Sequence, residues 1–354
     1  MLNTLLGVFS NSLSKIIHSA DITNLFLLDS RLRLVFYHGI GSEIRPCLAY
    51  LNDEISEDTF QRQIDYLQYN YNVCPLEEAI NVVYSHDKKK EKPVCSITFD
   101  DGLASVYKKA FPLLKNRGLT AAVFLNTAVI DNKNILWLHL LNYLVFHKGL
   151  IVVRQIISDT LGNEFKIIEY DEKQFMKWCK NNYYILFRAK SIQRLINVLK
   201  VDVEEVAYTE ALYLTTDEIK QMSMCGFTFY SHTENHLPLK TLPDEISRKE
   251  IDNALKYMDN NKIGSRKFVS FPFGMVKDYG EKAREYALSV GHEYVLEVGD
   301  GYNSFSRMRE NKTYSRVSLG SCSSEPKELF SALEITPRLK AFINSFRSLF
   351  NDNR

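Results

Sequence analysis

The stretch Ser96-Ile97-Thr98-Phe99-Asp100-Asp101-Gly102 is a short strand-like run that ends in two acids and a glycine, and Ser231-His232-Thr233-Glu234-Asn235-His236 answers it much later in the chain. Two carboxylates and a histidine pair form the parts list of a metal-assisted hydrolase. Zinc and similar cations take imidazole nitrogen and carboxylate oxygen, and a catalytic site keeps three protein ligands so that water can occupy an open position. The count here leaves one carboxylate over. Either half alone is weak, because Asp-Gly is also a favoured turn and spaced histidines arise on ordinary surfaces.

The chain around these motifs alternates strand and helix patterns. Residues 33–37 read as a strand ending in His38-Gly39, and Ser56 is placed to cap a helix in which Phe60, Ile64 and Leu67 share a face. A helix over 75–84 and a strand over 94–99 follow. Next comes a helix over 103–116, closed by Gly118, in which Pro112 predicts a kink or a late start. Residues 120–125 form another strand pattern. From 131 to 214 the rhythm changes to helical stretches, 135–146 and 174–199, which predicts an inserted, mainly helical segment. The alternation then resumes with a Thr215/Glu218 capping box, strands at 227–230, 268–271 and 293–298, and helices at 243–258 and 279–290.

Repeated strand-then-helix units predict an α/β chain with a parallel sheet, open or closed into a barrel. His38, Asp100 with Asp101, His232 with His236, and Pro272-Phe273-Gly274 all fall at the C-terminal ends of separate strands. In a (β/α) barrel those ends share one rim, where active sites sit.

With both motifs in order, the sequence resembles the polysaccharide deacetylase family, also known as the NodB-homology domain or carbohydrate esterase family 4. Thr98 to Gly102 stands as its T-F-D-D-G motif, His232-Thr233-Glu234-Asn235-His236 is similar to its histidine motif, and Phe271-Pro272-Phe273-Gly274 to its aromatic-Pro-aromatic-Gly motif. Tyr37-His38 resembles the opening strand of many members, so that the likeness runs from Leu32 to Leu319 apart from the insertion. The resemblance implies a distorted (β/α)7 barrel and a divalent metal, usually Zn2+. It implies Asp101, His232 and His236 as ligands, Asp100 as general base, and Pro272, Phe273 and Gly274 as a wall of the substrate groove. Two departures stand out. The cation that many members place just before the motif-three proline is replaced by Phe271, for which Arg316 is the candidate substitute. The late histidine that serves as general acid is missing after Val298, and His38 becomes the candidate proton donor. Trp137 and His139 open the insertion, where an indole could stack on a sugar face; a core role is the plain alternative for Trp137.

Composition sets the outer bounds. With a net charge of +1 and no cationic cluster beyond Lys88-Lys89-Lys90, nucleic acid is not an expected partner. Six scattered cysteines without a Cys-x-x-Cys pair exclude a disulfide framework and a cysteine zinc site. The opening residues make a poor signal peptide and are too polar for a transmembrane helix, which predicts a cytoplasmic protein. Residues 1–30 and 321–354 each predict an amphipathic helix, packed on the domain or in peripheral contact with a membrane. The expected organisation is therefore a barrel over 31–130 and 215–320, an insertion over 131–214 and two terminal helices. The expected function is metal-dependent removal of N-acetyl groups from an amino sugar of a surface polysaccharide or its precursor. The alternatives are a deformylase acting on a lipid-linked aminosugar and a non-catalytic glycan-binding protein.

Overall fold

Seven parallel strands close on themselves. They are β1 (Leu32–Tyr37), β2 (Val94–Phe99), β3 (Ala122–Leu125), β4 (Thr228–Ser231), β5 (Phe268–Ser270), β6 (Tyr294–Val298) and β7 (Thr313–Ser318). Each pairs with its neighbours in chain order, and β1 pairs with both β2 and β7, so the barrel is closed rather than open. The structure is a computed structural model and describes residues 32–51, 54–83, 92–162, 171–299, 301, 303 and 311–339. The expected amphipathic helix over 1–30, Lys88-Lys89-Lys90 and the chain beyond Leu339 lie outside the described residues. Among those described, no helix is long and apolar enough to cross a membrane.

The strands read as near-continuous apolar runs because both faces are covered, as parallel sheets require. All six residues of β1 are buried. Alternate residues divide between two environments. Leu32, Leu34, Phe124, Tyr230, Phe268, Leu296 and Tyr314 gather in one apolar cluster inside the barrel, whereas Val35, Tyr37, Ile97, Phe99, Val123 and Phe229 pack outward against Phe60, Ile64, Leu67 and Leu114 of the helices. The period-two geometry of a strand dictates this split. The seams are unequal: β1 and β2 match over six residue pairs, whereas β4 and β5 match at Ser231 and Val269 alone.

Local signals account for the helices. Ser56 accepts the Thr59 N–H at the start of Glu57–Asn70, and Thr215 with Glu218 forms the expected reciprocal cap on Thr216–Met224. The expected helix over 103–116 is interrupted by a wide turn at Val106–Ala110, in which the Phe111 N–H reaches the Val106 carbonyl. Pro112 then opens Phe111–Asn116, where no donor is needed. The expected helix over 174–199 is instead three, Glu172–Asn181, Tyr183–Arg188 and Ser191–Leu199. The chain breaks at Asn182 and at Lys190, which takes a left-handed φ of 53°. Among the described residues, helices Trp137–Lys148, Leu150–Leu161, framed by Gly149 and Gly162 at positive φ, and Val203–Glu210 also lie between β3 and Thr216–Met224.

His292 lies at the opposite end of the barrel from the site residues, before β6. It is buried, donates from Nδ1 to the Arg266 carbonyl, and burial pushes its pKa down to about 4. Between that value and the unfolded value near 6.5 the unfolded chain binds the extra proton. This group's contribution is therefore complete above pH 6.5 and fades as the pH falls toward 4. Thermal unfolding followed from pH 7 to pH 4 should fall less steeply in His292→Asn than in the parent, by up to about 3 kcal/mol over the window. Parallel curves would mean that His292 binds its proton equally well in the folded and unfolded chain.

Candidate active site

The carboxyl pair owes its geometry to the backbone immediately after β2. Asp100 still follows the strand, its N–H bonded to the Tyr37 carbonyl at 2.9 Å. Asp101 then turns left-handed at φ 68° and Gly102 follows at φ 66°, which sends the two adjacent carboxylates to different partners. Glycine suits position 102, because a Cβ there would lie 2.8 Å from Leu125 Cδ2 on a backbone that L-residues disfavour.

Asp100 faces into the barrel, where Arg316 of β7 grips it with two parallel bonds, Nη1 to Oδ1 at 2.8 Å and Nη2 to Oδ2 at 2.7 Å. The guanidinium also donates to Thr98 Oγ1 and Ser270 Oγ, and it lies over the Phe36 and Phe124 rings at 4.8 and 5.2 Å. Burial opposes the carboxylate charge, but Arg316 outweighs it and holds the Asp100 pKa below the ordinary range.

Asp101 faces the histidines. Its Oδ1 lies 3.3 Å from His232 Nε2 and 3.3 Å from His236 Nε2. His232 Nδ1 donates to the Ser270 carbonyl at 2.8 Å, so that in the neutral ring Nε2 presents a lone pair toward the carboxylate. Asp101 Oδ1 is buried without a hydrogen-bond partner. Burial keeps His236 neutral, with its pKa pushed down to about 3, and the Asp101 carboxyl is ionised, well below its usual range. A buried anionic oxygen facing an imidazole lone pair is a costly arrangement that a shared cation resolves. The three ligand atoms lie within 4.8 Å of one another, the one such cluster among the described residues. A nitrogen and oxygen set of this kind fits zinc or a related divalent ion.

The His232–His236 loop is clamped on every side. The Asn126 amide donates to the His232 and Thr233 carbonyls, and the Thr127 and Ala128 N–H groups reach Thr233 and Glu234. Glu250 accepts the Asn235 N–H at 2.8 Å and its side-chain amide at 2.7 Å. Thr233, His236 and Phe273 all hold positive φ, a strain that only such over-determination sustains. Asn126, Ser270 and Glu250 carry no motif of their own, and nothing in the sequence singles them out.

Above the clamp lies a cavity of about 250 Å3. His38, Asp100, Asp101, His232, His236, Phe273 and Gly274 line it, together with Leu138, His139 and Lys180 from the helical segment. His38 is half-buried and packs edge-on to Phe36. Of the third motif, Pro272 is buried and does not line the cavity and has no N–H. The Gly274 N–H is taken by the Phe271 carbonyl, which leaves the Phe273 N–H as the donor not engaged within the described residues. Lys180 Nζ sits 4.0 Å from the Phe273 ring centroid, and burial lowers its pKa.

Two further expected site residues, Arg316 and Trp137, do not line the cavity. Arg316 is fully buried and spent on Asp100, so it supplies the missing tether rather than touching a ligand. Trp137 does not line the cavity; its Nε1–H donates to the His236 carbonyl at 3.1 Å and its ring packs on Tyr183, which makes it a prop behind the histidine loop.

The sequence model of the polysaccharide deacetylase family matches residues 87–295, more than half of the chain. The chain belongs to that family. A Bacillus subtilis relative described as a polysaccharide deacetylase, YxkH, is 20% identical over 267 residues. The match takes in 75% of this chain and 63% of the relative, so the chain spans less than two thirds of that protein's length. The fold is similar to that of the Streptococcus pyogenes deacetylase PplD, solved in complex with acetate, with a TM-score of 0.54 at 17% identity, covering 86% of this chain and 98% of that one. It is also similar to IcaB from Ammonifex degensii, with a TM-score of 0.51 at 16% identity over 85% and 97% of the two chains. At these identities the likeness is one of fold.

The Arg316–Asp100 fork gives a test that separates charge from packing. Arg316→Met should lower the unfolding free energy by about 3–5 kcal/mol, because it strands a buried carboxylate. The Asp100→Asn, Arg316→Met double variant should recover part of that loss in the same denaturant titration, whereas simple additivity of the two single changes would show that the pair is not coupled.

Proposed function

We propose that the protein is a metal-dependent hydrolase that removes N-acetyl groups from an amino sugar of a surface polysaccharide or its precursor. The observation that carries this reading is the division of labour between adjacent carboxylates. Asp101 converges with His232 and His236, while Asp100 stands beside them, held by its arginine.

Asp101, His232 and His236 would hold a divalent cation, which would supply Lewis acidity at the acyl carbonyl. Asp100 accepts the proton that the water gives up as it adds to the carbonyl carbon. Because Arg316 holds its pKa low, Asp100 is ionised at every pH near neutrality. The Phe273 N–H is available to the carbonyl oxygen as negative charge develops there. His38, at the end of β1 on the same cavity, delivers a proton to the sugar nitrogen as the C–N bond breaks, releasing acetate and a free amine. The apolar surfaces of Phe36, Leu51, Leu138 and Val298 suit the C–H face of a pyranose.

Incubation of the zinc-loaded protein with N-acetylglucosamine oligomers should release acetate. Treatment with a chelator should stop the release and added zinc should restore it. Release of formate from N-formyl substrates without acetate release would assign the alternative acyl group, and full activity in chelator would sink the proposal. Asp100→Asn should reduce kcat by roughly 10²–10⁴-fold while zinc stoichiometry is retained. For His38→Gln, a comparable loss in kcat with little change in KM is expected, and an unchanged kcat would remove it as the proton donor.

A further inference from the structure

His139 takes no part in the steps above, yet it is built into the same cavity. It is the third residue of helix Trp137–Lys148 and is only 3% exposed. Its Nδ1 lies 2.7 Å from the hydroxyl of Tyr213, a side chain that is itself buried. That hydroxyl already accepts the Leu136 N–H at 3.0 Å, so its own hydrogen needs an acceptor, and His139 Nδ1 is the one within reach. The tautomer is thereby settled: Nδ1 accepts and Nε2 carries the hydrogen. The Nε2–H meets no acceptor among the described residues, although His139 lines the cavity. Burial pushes its pKa down to about 4, so the ring stays neutral and serves as a donor rather than as a proton source.

From this geometry, and resting on the deacetylase reading of the site, we infer that His139 is a specificity-determining residue that donates its Nε2–H to a hydroxyl or ring oxygen of the bound sugar. It lies outside the cluster of three ligands, on the wall contributed by the helical segment. With the acyl group seated over the ligands, the part of the substrate that reaches this wall is the sugar. An uncharged, pre-oriented donor among apolar side chains matches a neutral sugar oxygen, and rigid placement of a few such groups is how pockets fix orientation. The anchor is firm, because the Tyr50 N–H and the Leu138 carbonyl both bond the Asn142 side chain one turn further along the helix.

Two substrates and two substitutions test the assignment in the zinc-loaded full chain. Penta-N-acetylchitopentaose carries the sugar, whereas 4-nitrophenyl acetate offers only the acyl group. His139→Phe should lower kcat/KM on the oligosaccharide roughly tenfold, chiefly through KM, and leave hydrolysis of the aryl ester within about twofold. His139→Gln, whose amide can place a donor near the Nε2 position, should recover most of the loss. Parallel loss on both substrates, equal loss in both variants or a changed zinc affinity would reduce His139 to a packing residue, and no loss in either variant would overturn the assignment. Calorimetric binding of the oligosaccharide by Asp100→Asn, with and without His139→Phe, keeps this inference separate from turnover. About tenfold weaker binding supports it even if the parent releases no acetate, which would count against the deacetylase reading alone. Equal binding, or none by either protein, overturns it.

Discussion

The paired bonds between Arg316 and Asp100 set the terms for everything at the mouth of the barrel. A guanidinium in the lumen is tolerable because it is sandwiched by Phe36 and Phe124 and its two terminal nitrogens are engaged by Thr98, Ser270 and both oxygens of one carboxylate. That carboxylate is thereby fixed in direction and in charge. Its neighbour can then be given to an entirely different task, and a single left-handed residue is enough to separate them. Lysine in place of Arg316 would supply the charge but not the fork, and the orientation of Asp100 is carried by the fork.

Much of this was legible in the sequence. Strand ends, caps and the two motifs placed Asp100, Asp101, His232 and His236 on one rim because strand-helix alternation forces the C-terminal ends together. The closed order of the barrel follows from pairing between β1 and β7, elements separated by nearly the whole chain, which local patterns do not encode. The parts that escaped are relations rather than motifs. Arg316 could be named as the substitute cation, but nothing local says that β7 points that side chain at Asp100 with both terminal nitrogens. Trp137 looked like a sugar platform because its indole nitrogen is bonded to a carbonyl distant in sequence. The 174–199 stretch was periodic enough for one helix, and only Asn182 and the left-handed Lys190 show where tertiary packing divides it.

The helical segment between β3 and Thr216–Met224 is part of the site rather than an appendage to it. Trp137 supports the histidine loop from behind, and Leu138, His139 and Lys180 form one side of the cavity. Changes at Leu138, His139 or Lys180 therefore reshape that side of the cavity, whereas a change at Trp137 also reaches His236.

The seam between β4 and β5 gives the site a mechanical character. The two strands match at a single residue pair, and the next link across the gap is the imidazole of His232 resting on the Ser270 carbonyl. A side chain of the candidate cation site thus does the work of a missing rung in the sheet. Because Ser270 also holds the guanidinium through its hydroxyl, one residue gauges both the spacing of the staves and the aim of the two carboxylates. The enclosure and the chemistry share a hinge point, so whatever tightens one tunes the other.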